Sequence, residues 1–144
     1  MHRYNNSIIL PFSAIQLYNV IIDVEAYPEF LPWCLSSKII TKIDKNNFDA
    51  ELKVGYKAID EKYTSRIRTK FAKEINSKAI SGPFKVLDST WTFKEIDKKK
   101  CDVAFVIEYE FKSFFLDKVM GGLFKKATLK MLDAFEQRAY DLYE

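Results

Sequence analysis

Chemistry in a small protein needs titratable or nucleophilic side chains held close together, and this chain offers few. Its one histidine is His2. That position is expected to fray, so Ser-His, Cys-His and zinc-histidine arrangements lack their main component. Cys34 and Cys101 have no histidine near them in sequence. They read as free thiols in a reducing compartment, two small buried hydrophobes rather than a redox or metal site. Gly82-Pro83 and Gly121-Gly122 match no phosphate-binding loop. Glu108 and Glu110 share a face, but the alternation around them makes it the solvated one. The polar groups left for an interior are the hydroxyls of Tyr56, Tyr63 and Tyr109 and the indole of Trp91, which need partners once buried. Such groups orient a ligand; they do not transform it. The expectation is binding without catalysis, with no metal and no catalytic cofactor.

The elements that must position these residues are legible in the hydrophobic pattern. Leu116, Met120, Leu123, Ala127, Met131, Ala134 and Leu142, with Val119, Phe124 and Phe135 beside them, keep a three-four spacing from Ser113 to Tyr143. That spacing predicts one amphipathic helix. At ~1.5 Å per residue it is a rod of about 45 Å. Ser113 is placed to cap it, and Asp117 lies in its first turn, where the helix dipole favours negative charge. Earlier in the chain, residues 4–10 read as a strand ended by Pro11. Ser13 caps a helix over Ala14 to Val24 with Ile15, Tyr18 and Ile22 on one face. Pro28 suits the first turn of a second short helix, and Pro32 stops it.

From there the chain alternates with period two, the pattern of antiparallel strands covered on one face. Inward positions are Ser37, Ile39, Thr41 and Ile43; Phe48, Ala50, Leu52, Val54 and Tyr56; Tyr63, Ser65, Ile67, Thr69 and Phe71. They continue with Ile75, Ser77 and Ala79; Leu87, Ser89, Trp91 and Phe93; and Cys101, Val103, Phe105, Ile107, Tyr109 and Phe111. None of them is charged, so the inner face offers no general acid or base. Turns fall at Asn46-Asn47, Lys57 to Asp60, Ser81-Gly82-Pro83 and Asp97 to Lys100. A hairpin of strands 48–56 and 63–71 pairs Glu51 with Arg66 and Asp49 with Arg68. On that register the basic stripe Lys62, Arg66, Arg68, Lys70 reads as a solvated ladder more than as an RNA or ribosome contact.

The predicted fold is α+β: a curved antiparallel sheet of about seven strands wrapped around the C-terminal helix, with two short helices after the first strand. The whole chain, 1–144, reads as one domain. Small and weakly polar residues interrupt its aromatic inner face, which favours an incompletely filled apolar pocket. The pocket residues expected are Phe30, Leu31, Trp33, Leu52, Tyr56, Tyr63, Ser65, Trp91, Phe105, Tyr109, Met120 and Phe124. Phe30 to Trp33 either line its mouth or pack a corner. Gly121-Gly122, inside the long helix, reads either as a hinge or as a close approach to a strand. Phe114, Phe115 and Leu116 lie beside Lys118, Lys125 and Lys126, a composition that permits transient contact with a membrane surface. Net charge is only +3 and both signs are interspersed, so composition argues for neither nucleic acid nor membrane.

Asp23-Val24-Glu25-Ala26-Tyr27-Pro28-Glu29-Phe30-Leu31-Pro32-Trp33-Cys34 resembles the signature of the coenzyme Q-binding START-domain family. Leu52 to Tyr56, Glu61 to Ser65, Gly82-Pro83-Phe84, Trp91-Thr92-Phe93 and Phe111-Lys112-Ser113 look like that family's later landmarks, in order. The resemblance covers essentially the whole chain. It implies a helix-grip fold and non-catalytic binding of ubiquinone or a related prenyl lipid in support of respiratory electron transfer. The family also includes RatA-type ribosome-association toxins that bind the large ribosomal subunit, which is the alternative. The wider superfamily contains polyketide cyclases and aromatases, against which the uncharged inner face speaks. No leader precedes the first strand as read, so the expectation is a bacterial member, cytoplasmic or peripheral at the inner membrane.

Overall fold

The computed structural model describes residues 1–56 and 59–144; the side chains of Tyr56 and Ile59 also lie outside the described residues. The expected turn over Lys57 to Asp60 therefore falls partly outside them, and Ile59 and Asp60 already belong to a strand. Seven strands form one antiparallel sheet: β1 (His2–Leu10), β2 (Cys34–Asp44), β3 (Asn47–Tyr56), β4 (Ile59–Lys70), β5 (Glu74–Ser81), β6 (Phe84–Asp97) and β7 (Lys100–Phe111). Their order in space is β1-β7-β6-β5-β4-β3-β2. Each strand after β2 pairs with the one before it, and β1 closes onto β7. The long helix α2 (Phe114–Tyr143) lies against the inner face, with Phe124 4.3 Å from the Tyr109 ring and Phe135 5.4 Å from Trp91. This is the α+β helix-grip architecture expected.

Strand β7 shows most plainly which face of the sheet the helix covers. Cys101, Val103, Phe105, Ile107, Tyr109 and Phe111 are all buried and every residue between them is half-buried. One face is core and the other is partly wet.

Elsewhere the register departs from expectation. Asp49 pairs with Arg66, and Glu51 with Thr64, two residues away from the predicted pairing. Strand β4 begins at Ile59, so the β3–β4 connection is tighter than the pattern suggested, and the outward face is kept because the shift is even. The Arg66 guanidinium donates to both Asp49 carboxylate oxygens, at 3.0 and 3.1 Å. Strand β2 carries bulges between Cys34 and Ser36, Ile39 and Thr41, and Lys42 and Asp44. Each bulge breaks the alternation. Thr41 accordingly pairs with Asp49 on the outer face and Ile43 is exposed, so neither points inward. Phe71 lies past the end of β4 and is 63% exposed, edge-on to Tyr18.

Helix α1 (Ala14–Ile22) starts with a capping box. Ser13 Oγ accepts from the Gln16 N–H at 3.1 Å, and Gln16 Oε1 accepts from the Ser13 N–H at 3.0 Å. Its buried residues are Ala14, Leu17, Tyr18, Val20 and Ile21; Ile15 is exposed. The second short helix is a 3₁₀ helix, Val24–Glu29, with Pro28 near its end rather than in its first turn. In α2 the expected stripe packs on the core or the cavity at Leu116, Met120, Leu123, Phe124, Ala127, Met131, Ala134 and Phe135. Met120, Gly121, Thr128, Phe135 and Ala139 are buried, while Val119 and Leu142 are exposed.

A candidate ligand cavity between sheet and helix

Between α2 and the concave face lies a cavity with about 140 Å³ open to the centre of a water-sized molecule, several times the minimum for one water. Its walls follow from the alternation. Strand β3 contributes Leu52 and Val54, and β4 contributes Tyr63, Ser65 and Ile67. Ile75 and Ser77 come from β5, Phe84, Leu87, Ser89 and Trp91 from β6, and Phe105, Ile107 and Phe111 from β7. Helix α2 closes one side with Phe124, Ala127, Thr128, Met131 and Phe135. Tyr27, Leu31 and Trp33, from the 3₁₀ helix and the turn after it, close another.

The open volume has a simple cause. Ser65, Ser77 and Ser89 sit on three neighbouring strands, and Ala127 is small, so the helix faces short side chains. Packed interiors leave few voids of this size.

Of the residues expected at the pocket, the structure places Leu31, Trp33, Leu52, Tyr63, Ser65, Trp91, Phe105 and Phe124 on its wall. The Tyr56 side chain is outside the described residues. Phe30, Tyr109 and Met120 are not on the wall. Phe30 packs edge-on against Tyr27 and Phe135 beneath the Arg138 guanidinium. The Tyr109 hydroxyl donates to the Gly121 carbonyl at 2.9 Å, which ties β7 to α2. Met120 is buried in the core elsewhere.

Among the wall residues that escaped the sequence reading, Glu61 and Thr128 are the polar side chains that change its chemistry. Glu61 lies on the wall, so the inner face is not free of charge. It pairs with Val54, one strand position before the alternation appeared to begin. Thr128 interrupts the apolar stripe, yet it is 5% exposed because its hydroxyl donates to the Phe124 carbonyl at 2.9 Å.

Apart from Glu61, the polar groups of the described wall are neutral hydroxyls and an indole N–H. Burial raises the Tyr63 and Tyr27 hydroxyls far above the usual phenol range, so both stay protonated. Tyr27 donates to the Ile21 carbonyl. Trp33 Nε1–H is buried and has no hydrogen-bond partner among the described residues, an uncompensated donor in a wall residue. Burial likewise pushes the Cys34 and Cys101 thiols up to about 11, so neither is a thiolate at neutral pH. No group of His, Cys, Asp and Glu among the described residues is arranged to hold a metal ion.

His2 is not frayed. It lies in β1, stacks on Tyr109 at 4.8 Å and shares a 3.0 Å hydrogen bond with Asp117. Gly121 makes room for it: a Cβ there would stand 2.9 Å from the imidazole. Among the described residues, Gly122 has nothing within 4 Å of such a Cβ. The glycine pair thus divides into one close approach and one open position. The basic stripe divides too. Lys62 lies 3.8 Å from Glu51 and Arg66 is paired with Asp49, while Arg68 and Lys70 are exposed.

Residues 10–136 match the family described as polyketide cyclase / dehydrase and lipid transport. The chain belongs to that family. Within it, the chain is 36% identical over 146 residues to the ribosome association toxin RatA of Rickettsia prowazekii, covering 99% of both chains. It is 40% identical over 137 residues to the mitochondrial coenzyme Q-binding protein COQ10 of Dictyostelium discoideum, covering 93% of this chain and 67% of that one. The ribosome-association name recurs among further bacterial relatives. Among solved structures, the Zhui aromatase/cyclase of Streptomyces sp. R1128 superposes with a TM-score of 0.85 at 13% identity, covering 96% of this chain and 93% of that one. At that identity the likeness concerns the fold alone. No helix of the described residues is long and apolar enough to cross a membrane.

Proposed function

We propose that the protein binds ubiquinone or a related prenyl lipid in the cavity between α2 and the sheet, without transforming it. The cavity carries the reading: it is apolar over most of its wall, and the described wall offers one carboxylate, Glu61, with no histidine or thiolate beside it. A prenyl chain entering it gains ~25 cal/mol per Å² of apolar surface removed from water. Trp33, a wall residue, has an indole N–H without a partner among the described residues, a donor for a quinone carbonyl once the ligand's entry uncovers it. The coenzyme Q-binding relative supports the same ligand. The test is solvent extraction of the purified protein with mass spectrometry of the extract, followed by titration with a short-chain ubiquinone. Co-purified quinone and saturable one-to-one binding are expected. An empty extract together with no saturable binding overturns the proposal.

A second reading is association with the large ribosomal subunit, which the names of the full-length bacterial relatives favour. Its contact surface would be the outer face of β4. With Lys62 and Arg66 already facing carboxylates, Arg68 and Lys70 are the cations available there. Co-sedimentation with large subunits, weakened by Arg68→Gln and Lys70→Gln and by added salt, supports this reading. Undiminished co-sedimentation of that variant removes the β4 surface from it.

A further inference from the structure

The first half of α2 carries an outer face that neither the core nor the cavity uses. At ~100° per residue, Phe114, Phe115, Lys118, Val119, Lys125 and Lys126 fall within one stripe of the helix surface. Phe114 is 85% exposed, Phe115 71% and Val119 52%. Large apolar side chains so exposed, and so close together, mark an interaction site rather than ordinary surface. Lysines flank them on every side: Lys118, Lys125 and Lys126 are exposed, and Lys112 precedes the helix cap. None of these four has a carboxylate partner among the described residues. The carboxylate in this part of the helix is Asp117, and it is turned the other way, onto His2 and the Phe111 N–H. Farther along the helix both signs are present, with Lys130 and Arg138 among Asp133, Glu136 and Asp141. The exposed pair of phenylalanines with lysines and no facing carboxylate around it lies at one end.

We infer that this face docks on an anionic lipid bilayer, with the Phe114 and Phe115 rings entering the headgroup layer and the lysines meeting lipid phosphates. An exposed aromatic pair ringed by unpaired lysines complements that surface in both respects, apolar depth and negative charge. The place in the fold is also telling. The Lys112 N–H donates to the Pro83 carbonyl at 2.9 Å, and Pro83, Phe111 and Phe124 are cavity wall. Docking would thus bring that end of the cavity to the bilayer. The inference rests on the surface alone and stands whether or not the cavity takes a quinone.

The experiment is sedimentation with phosphatidylcholine vesicles prepared with and without phosphatidylglycerol. The protein is expected to sediment with the anionic vesicles only. Phe114→Ser/Phe115→Ser should lower the partition coefficient at least about tenfold, and Phe114→Leu/Phe115→Leu should restore most of it. Replacing Lys118, Lys125 and Lys126 by Gln should lower it about fivefold per lysine. These side chains are exposed, so thermal melts of the variants should match the parent and exclude misfolding as the cause. Failure of the parent protein to bind phosphatidylglycerol vesicles overturns the inference. So does loss of binding in the lysine variant with none in the serine pair, which is the behaviour of a purely electrostatic polyanion site such as RNA.

Discussion

Asp117 joins three parts of the molecule through one carboxylate. Oδ1 accepts from the Phe111 N–H at 3.0 Å, at the end of β7, and Oδ2 meets His2 Nε2 at 3.0 Å, in β1. Both bonds favour the charged form and hold this carboxyl below its ordinary value, the Phe111 bond contributing most. A group depressed in the folded state contributes stability that is fully present above its unfolded value and is lost as pH falls through the folded one. The window therefore lies below about pH 4. Asp117→Asn should be less stable than the parent at neutral pH and should lose less stability on acidification, read from melting temperatures at a series of pH values. Parallel acid curves for the two proteins would show that this contact carries no pH dependence. Asp44 and Glu110 are depressed as well, through the Asn46 N–H and the Lys85 ammonium, so the variant should keep some acid sensitivity. His2 was read as an unstructured end because sequence carries no sign of a ring stacking across strands.

At the scale of elements, the glycine pair of α2 separates two effects that sequence presents as one. Gly122→Ala adds a methyl to open space and should stabilise the protein by roughly 1 kcal/mol, the ordinary helix preference for alanine. Gly121→Ala drives a methyl against the His2 imidazole, 2.9 Å away, so the ring must shift, which disturbs its stack on Tyr109 and its bond to Asp117. The single variant should gain little or lose stability, and in a His2→Ala background the same change should become stabilising. That non-additivity, read by chemical denaturation, separates contact from propensity. Gly121 behaving like Gly122 in both backgrounds would refute the close-approach account. The elements themselves were readable where alternation is unbroken: β7 buries every second residue, and both caps, Ser13 and Ser113, accept the hydrogen bonds their positions predicted. Strand β2 was misread because a bulge inserts a residue that no hydrophobicity pattern announces. The hairpin register slipped by an even number, which leaves every side chain on its proper face and so leaves no trace in the pattern.

For the whole molecule, the decisive property is a core that does not close. Natural interiors are packed to the density of crystals, and unfilled volume costs cohesion. Here Ser65, Ser77, Ser89 and Ala127 hold the sheet and helix apart around empty space while Phe84, Phe124, Phe135 and Trp91 pack tightly at its edges. The sequence announced the small residues but not that they would meet, since their adjacency depends on pairing Ser77 with Ser89 and on the rotation of α2. If the volume is kept for a ligand, filling it should trade binding for stability. Ala127→Leu adds three carbons from a rigid helix into the cavity. Each buried methylene contributes about 0.8 kcal/mol when no strain follows, so the ligand-free variant should melt higher than the parent. Its affinity for a short-chain ubiquinone should fall at least about tenfold, measured by the same titration as for the parent. A control at an exposed position of the same helix, Asp133→Asn, should change neither. A variant that melts higher yet binds as tightly would mean that the ligand lies elsewhere. A variant that melts lower would mean that the wall cannot absorb the added carbons, and that the space is the ordinary slack of this core rather than a kept void.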